Sequence, residues 1–431
     1  MKKNEQYTVE CVALTDLAAG VCRIDEEAVF VYDLLLGEKA RIQIIKTYSK
    51  YAIGKVIERL TTSHARQEPV CPAAKWCGGC QMQHIAYAEQ CGFKNQWLQD
   101  LFRTYPLLPI RKAEEPLFYR NKAQFPVQVR NGKVEMGFYR LHSNTIVDTK
   151  ECFIQSPAIN KVFLWIKEHI SLEQARCLRH VMIREGKEHI QVVFIGERNI
   201  DLNQFTARMT KRFSEIESVV FNENRRNDNV ILGEKYDVLY KNDWIMAECM
   251  GNRIKLHFKS FFQVDPAQTE ILYQTAIDLA QLKKEDRLVE LYAGTGTIGM
   301  AMAPYVKEVT GVEIVKEAVD NANENVRLNH IENCSYICQD ATVFAREYEG
   351  ECDVLVVDPP RKGLSEEGIG HIERIAPKKM IYISCNPKTL RRDLDRLKER
   401  GYDCSILQPV DMFPYTTGIE CVALIEKRKE R

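Results

Sequence analysis

Nowhere does the chain run through about 18 or more consecutive apolar residues, so no membrane-spanning helix is expected. Its opening, Met1-Lys-Lys-Asn-Glu-Gln6, leads into no apolar signal core, and the expected location is the cytoplasm. Net charge is absent: 60 basic residues face 60 acidic ones, which excludes a protein held on nucleic acid by bulk charge alone. A local basic face stays open, because affinity follows the number of phosphates contacted. Internal repeats and low-complexity tracts are also missing.

The chain has 431 residues, 45% apolar and 28% charged, which suits a soluble protein with more than one core. Its 15 cysteines are expected to be reduced thiols, some of them metal ligands or nucleophiles, since a disulfide framework belongs to small secreted domains. A monomer is expected.

Three regions are predicted. Residues 1–62 carry short strands at Thr8–Leu14, Ala28–Tyr32, Lys39–Ile45 and Tyr51–Ile57, with turns at Gly20, Asp25 and Gly37. This pattern predicts a small OB-like β-barrel. Residues 63–255 read as an antiparallel α+β domain. A helix from Tyr87 to Arg103 is expected to bury Phe93, Trp97, Leu98 and Leu101. A hairpin is expected across Asn131-Gly132, and further strands at Val181–Arg184, Ile190–Ile195, Ser218–Asn222 and Ile254–Phe258. Residues 256–431 alternate strand and helix from the Asp265-Pro266 helix start onward. They predict a Rossmann-like, doubly wound α/β domain ending in an antiparallel hairpin.

That last domain holds most of the chemistry. Val289-Glu-Leu-Tyr-Ala-Gly-Thr-Gly-Thr-Ile-Gly299 is a strand entering a glycine-rich turn, where Gly294 and Gly296 admit a ligand close to the backbone. Such a turn also suits a dinucleotide. Glu290 lies inside the strand, however, and a strict Gly-x-Gly-x-x-Gly is absent. Glu313 ends the next strand, where a carboxylate can accept ribose hydroxyls, and Asp340 ends the third, where adenine would lie. The pattern resembles class I S-adenosylmethionine methyltransferases.

Asp358-Pro-Pro-Arg361 ends the fourth strand. The prolines hold the chain extended, so Asp358 is expected to face the crevice rather than cap a helix. Cys385, in Ile381-Tyr-Ile-Ser-Cys-Asn-Pro-Lys388, stands at the end of the fifth strand before a tight turn. Glu420 opens the final strand. A thiol that adds to carbon 6 of a pyrimidine makes carbon 5 nucleophilic. A carboxylate can then remove the carbon-5 proton. The alternatives are a buried, inert cysteine and an exposed glutamate.

Cys71-x5-Cys77-x2-Cys80, with Cys152 further on, is a four-thiolate constellation that suits either zinc or a [4Fe-4S] cluster, and Cys91 could replace Cys152. Tyr119-Arg-Asn-Lys-Ala-Gln-Phe125 interleaves aromatic and basic residues, with Arg120 and Lys122 as candidate phosphate contacts.

Taken together, Ser384-Cys-Asn-Pro-Lys-Thr389, Asp358-Pro-Pro-Arg361, Ser260-Phe-Phe-Gln-Val264 and Asp411-Met-Phe-Pro-Tyr-Thr416 with Glu420 resemble RNA uracil-5-methyltransferases over nearly the whole chain. The resemblance implies Cys385 as nucleophile and Glu420 as base. It implies S-adenosylmethionine contacts at Gln263, Tyr292, Glu313, Asp340 and Asp358, beside Gly294. It implies a [4Fe-4S] cluster on the cysteine set and a TRAM-type RNA-binding barrel at the start of the chain. Thr297, Tyr415 and Gly418 depart from frequent family residues, which bears on substrate choice. The branch it looks most like acts on 23S ribosomal RNA. The alternatives are a transfer-RNA uracil-5-methyltransferase and a non-catalytic RNA-binding or ribosome-assembly protein.

Overall fold

The computed structural model describes residues 1–197, 200–226 and 228–428. Two compact units divide the chain: Met1–Leu98 with Phe413–Thr417, and Gln99–Met412 with the residues from Gly418 onward.

In the first unit, β1 (Gln6–Glu10), β2 (Ala13–Leu14), β3 (Gly20–Ile24), β4 (Glu27–Tyr32), β5 (Lys39–Thr47) and β6 (Tyr51–Arg59) form one sheet in the order β1-β5-β6-β4-β3-β2. Alternate residues such as Ala40, Ile42 and Ile44 enter its core with Val29, Val31 and Leu34. Asp25 and Glu26 both take positive φ in the turn between β3 and β4, whereas Gly20 is not a turn residue. Gly20 starts β3, where an added Cβ would meet the Leu34 carbonyl at 2.5 Å. The expected single strand Thr8–Leu14 is broken at Cys11 and Val12.

The chain then loops to α1 (Tyr87–Leu101), whose buried face corrects the expectation. Gln90, Cys91, Lys94 and Leu98 are buried, while Phe93 and Trp97 are only partly so. The polar members are covered because backbone groups satisfy them. Gln90 donates to the Ile85 carbonyl at 2.8 Å and accepts from Tyr415 N–H at 3.0 Å. Lys94 donates to the Phe413 carbonyl at 3.3 Å.

The second unit holds two large sheets. The first contains β7 (Lys122–Arg130), β8 (Lys133–Tyr139), β9 (Ile146–Asp148), β10 (Leu178–Glu185), β11 (Ile190–Gly196), β12 (Ile216–Glu223) and β13 (Tyr236–Lys241). Asn131 and Gly132, at φ 51 and 70, make the tight β7–β8 turn. The sheet is not wholly antiparallel as expected, because β11 and β12 run parallel across the connection through α4 (Asn203–Arg212). Here α2 (Pro157–His169) and α4 cover one face; Phe163 and Phe205 pack against Phe125 and Phe194. Between these two helices, α3 (Leu172–Cys177) leads into β10, and β14 (Trp244–Cys249) with β15 (Asn252–His257) forms a separate hairpin.

The other sheet follows α5 (Pro266–Ala280), which Asp265 caps by accepting Gln268 N–H at 3.1 Å. It comprises β16 (Arg287–Leu291), β17 (Glu308–Glu313), β18 (Cys334–Cys338), β19 (Val354–Val357), β20 (Lys379–Ser384), β21 (Tyr402–Val410) and β22 (Glu420–Lys427). The order is β18-β17-β16-β19-β20-β22-β21, parallel except for β22, which runs against both neighbours. Its helices are α6 (Thr297–Met302), α7 (Lys316–Leu328), α8 (Ala341–Glu347), α9 (Glu366–Ile375) and α10 (Pro387–Glu399). Strand order reverses between β16 and β19, so the crevice for a ligand lies beyond their carboxyl ends. No described helix is long and apolar enough to cross a membrane.

Candidate active site

One side of the crevice is built on β16 to β18. The chain leaves β16 through Tyr292, Gly294 and Gly296, at φ 64, 56 and 77. Gly296 is pressed against Tyr336, whose ring would lie 2.4 Å from an added Cβ, and Tyr336 donates to the Gly296 carbonyl at 2.7 Å. Gly294 has open space instead, with nothing within 4 Å of an added Cβ. Its N–H donates to Glu313 at 2.9 Å, and the other Glu313 oxygen accepts Val315 N–H at 3.0 Å. Glu313 is thus fixed beside the glycine turn. Asp340 caps α8, accepting the N–H groups of Thr342 and Val343 at 2.8 and 3.1 Å. The apolar Ile314, next to Glu313, and Ile337, three residues before Asp340, are 63% and 38% exposed; the motif reading had not singled them out.

Glu290 is buried beneath the turn and accepts Gly299 N–H at 3.0 Å. Burial, then the charge of Asp358, pushes its carboxyl up to about 8, and its second oxygen has no partner. Gln263 is buried too; its carbonyl accepts from the Asn121 amide at 3.1 Å. Burial also raises the Tyr292 phenol.

The facing side gathers Asp358, Cys385 and Glu420. Val357 pairs with Tyr382, and Ser384 pairs with Cys421. One further step of that antiparallel register sets Cys385 beside Glu420. Glu420 is not the exposed residue its position allows: it is 4% exposed, and one carboxylate oxygen is buried without a partner. Burial and then Asp358 raise its carboxyl well above the usual range, against the pull of Arg361. Burial, Glu420 and Asp358 push the Cys385 thiol up to about 11, again opposed by Arg361. Burial lifts Asp358 to about 7. No hydrogen bond or ion pair reaches the Asp358 carboxylate among the described residues.

The loop after Asp358 is anchored at its backbone. Asn386 and Thr389 donate to the Arg361 carbonyl at 2.9 and 3.2 Å. The buried Asp393 accepts Leu364 N–H and the Tyr382 hydroxyl, both at 2.8 Å. Sequence reasoning missed Arg361 as a neighbour of the thiol, although its Asp358-Pro-Pro-Arg361 motif was in view.

The cysteine set is less gathered. Cys71, Cys77 and Cys80 share one loop of the first unit, all partly buried, and Cys77 sulfur accepts Gly79 N–H at 3.4 Å. Burial raises the Cys77 thiol, with a further contribution from Cys71. Soft thiols are the donors that zinc or an iron–sulfur cluster takes. Among the described residues, however, no three His, Cys, Asp or Glu side chains converge as a metal-binding set. Cys152 belongs to the second unit, and no described cysteine forms a disulfide.

This strand order, with a glycine turn after its first strand and a carboxylate ending its second, defines a methyltransferase-type α/β fold. The comparisons narrow it. The profile of the tRNA (Uracil-5-)-methyltransferase family matches residues 86–428. An uncharacterized RNA methyltransferase of Clostridium acetobutylicum is 36% identical, covering 99% of this chain and 98% of its own. Another, from Halalkalibacterium halodurans, is 37% identical with the same coverage. The solved tRNA (uracil-54, C5)-methyltransferase of Pyrococcus abyssi, in complex with S-adenosyl-L-homocysteine, shares the fold with a TM-score of 0.77 at 23% identity, covering 97% of this chain and 99% of that one. The chain belongs to the RNA uracil-5-methyltransferase family and is an RNA methyltransferase.

Proposed function

We propose that the protein methylates carbon 5 of a uridine in 23S ribosomal RNA, through a covalent bond between Cys385 and carbon 6. The β20–β22 register, which ends at Ser384–Cys421 and leads on to Cys385 and Glu420, carries this reading, with Glu420 acting on the thiol by its charge. S-adenosylmethionine, when bound, supplies an electrophilic methyl group. The residues that would hold it are Gln263, Tyr292, Gly294, Glu313, Asp340 and Asp358. The open space at Gly294 and the fixed Glu313 carboxylate support that assignment. Cys385 adds to carbon 6 and makes carbon 5 a nucleophile. Glu420 then takes the carbon-5 proton, and the thiolate leaves. A target base must be unstacked to reach the thiol, so a loop or locally opened RNA is the substrate form.

The choice of 23S RNA rests on the likeness to the ribosomal branch, with its TRAM barrel and cysteine set. We assign residues 1–62 to RNA contact, 63–255 to the central domain and 256–431 to methyl transfer. The thiols of Cys71, Cys77, Cys80 and Cys152 are assigned to a [4Fe-4S] cluster from their spacing, and no catalytic step uses it. Iron, sulfide and visible absorption of protein purified without air test that assignment, and bound zinc would replace it. A transfer RNA is the second substrate reading, favoured by the tRNA description of the matching family.

Labelled S-adenosylmethionine offered with unmodified 23S transcript and with a tRNA pool separates these readings. Label as 5-methyluridine in 23S RNA supports the proposal. Label in tRNA alone overturns the substrate, and label in neither overturns the proposed activity on free RNA.

A further inference from the structure

We propose that Asn121, Arg184 and Asn321 are positioning residues for the methyl donor: they fix the irregular segment 260–264, and through it the place of Gln263. This role rests on the reading of Gln263 as a donor contact and adds what holds that residue in place.

Between β15 and α5 the chain passes through residues 258–265, which form neither helix nor strand and are largely buried. Such a stretch must find partners for its backbone carbonyls outside itself. They come from several directions. Arg184, on β10, donates to the His257 and Ser260 carbonyls at 3.1 and 2.8 Å. Asn121, just before β7, donates its backbone N–H to the Val264 carbonyl at 2.8 Å and its side-chain amide to the Gln263 carbonyl at 3.1 Å. Thr295, in the glycine-rich turn, donates to the Phe261 carbonyl at 3.4 Å. Asn321, on α7, accepts the Ser260 hydroxyl at 3.1 Å and donates to the Lys255 carbonyl at 2.7 Å. The segment is thus tied to the first sheet of this unit, to the glycine-rich turn and to the helix that follows Glu313. The last two are the parts whose open space and fixed carboxylate suit the donor.

Arg184 is an expensive choice if packing were its whole task. It is fully buried, and no carboxylate answers its charge among the described residues. An apolar side chain of similar volume would pack there without that cost. What the guanidinium adds is a rigid fork that holds two carbonyls at a fixed spacing. Asn321 belongs to a ladder. β15 pairs with β14 along one edge, and Asn321, Asn325 and Asn329, four residues apart on α7, meet the backbone of Lys255 and Arg253. Asn329 meets only the hairpin and its own helix, whereas Asn321 also reaches Ser260. That difference separates positioning of the donor segment from plain attachment of the hairpin.

The test is calorimetric titration of the full-length protein with S-adenosylmethionine alone, which does not depend on which RNA is methylated. Asn121→Ala and Asn321→Ala should each raise the dissociation constant about three- to tenfold at unchanged stoichiometry, roughly the worth of a hydrogen bond. Asn329→Ala removes ladder contacts as Asn321→Ala does, yet should keep wild-type affinity. Gln263→Ala should weaken binding as well. Adding Asn121→Ala to it should weaken binding no further, because Asn121 acts through Gln263. A loss of stoichiometry at wild-type affinity marks a folding role and overturns the proposal. So do wild-type affinity in both Asn121→Ala and Asn321→Ala, equal weakening by Asn329→Ala, and additive losses in the double variant. In each of these cases a weakened Gln263→Ala leaves the donor assignment standing. Wild-type affinity in Gln263→Ala overturns that assignment, and the positioning role with it.

Discussion

Asp393 gives a clean measure of how the target-side loop is held. Its carboxylate is fully buried, and one oxygen accepts both Leu364 N–H and the Tyr382 hydroxyl at 2.8 Å. The other oxygen meets Arg392, whose side chain is 41% exposed. Asp393→Ala leaves two buried donors without an acceptor, at about 1–3 kcal/mol each, so a loss of about 2–6 kcal/mol is expected. Asp393→Asn keeps one oxygen for both donors and loses only the partly exposed pair with Arg392, worth about 0–1 kcal/mol. Hydrogen exchange over 359–394 as a function of urea should show the alanine variant opening far earlier than the asparagine variant. Methylation should fall with the first and persist with the second. Equal damage from both substitutions would refute the reasoning, since it would make the Arg392 pair the anchor.

Four shorter predictions follow from the same site. Cys385→Ala should abolish methyl transfer while S-adenosylmethionine still binds by calorimetry; residual turnover near wild type would remove the thiol from the mechanism. Glu420→Gln should accumulate covalent protein–RNA adduct on ordinary substrate, visible as a shifted band, and its absence alongside normal turnover would reassign the carbon-5 base. Gly294→Ala should weaken donor binding at least about tenfold, because it strains a residue at φ 56 by about 1–2 kcal/mol and fills the open space above the turn. Glu290→Gln should flatten stability against pH. The wild-type carboxyl keeps its proton in the folded state up to about 8 but loses it near 4.5 when unfolded. Its contribution is full below about 4.5 and is lost as pH rises to about 8. Parallel unfolding curves for wild type and Glu290→Gln across that window would contradict this.

Much of the second unit was legible because its signals are local. Asn131-Gly132 specifies its own turn, Asp265-Pro266 its own helix start, and the alternation after Phe262 its own layers. What failed was non-local. Gly20 looks like a turn in isolation, and only the approach of Leu34 explains its place in a strand. Gln90 and Lys94 look like solvent residues until the carbonyls they meet are known. The strand Tyr236–Lys241 went unseen because most of its residues are exposed and carry no alternation. At the site, Cys385 and Asp358 announced themselves by their motifs. The burial of Glu420 and the reach of Arg361 depend on how β22 slots between β20 and β21.

That slotting has a kinetic side. Until the β21–β22 hairpin docks, the parallel strands β16 to β20 end at β20, whose Met380–Ile383 are fully covered only in the finished sheet. A folding intermediate lacking the hairpin would show an apolar, unpaired edge, the kind that recruits another chain. The same docking event brings Glu420 beside Cys385. Refolding at high concentration should therefore lose material to aggregation before the thiol and its carboxylate neighbour ever meet. Recovery of activity should then track closure of this edge and lag behind the return of helical signal.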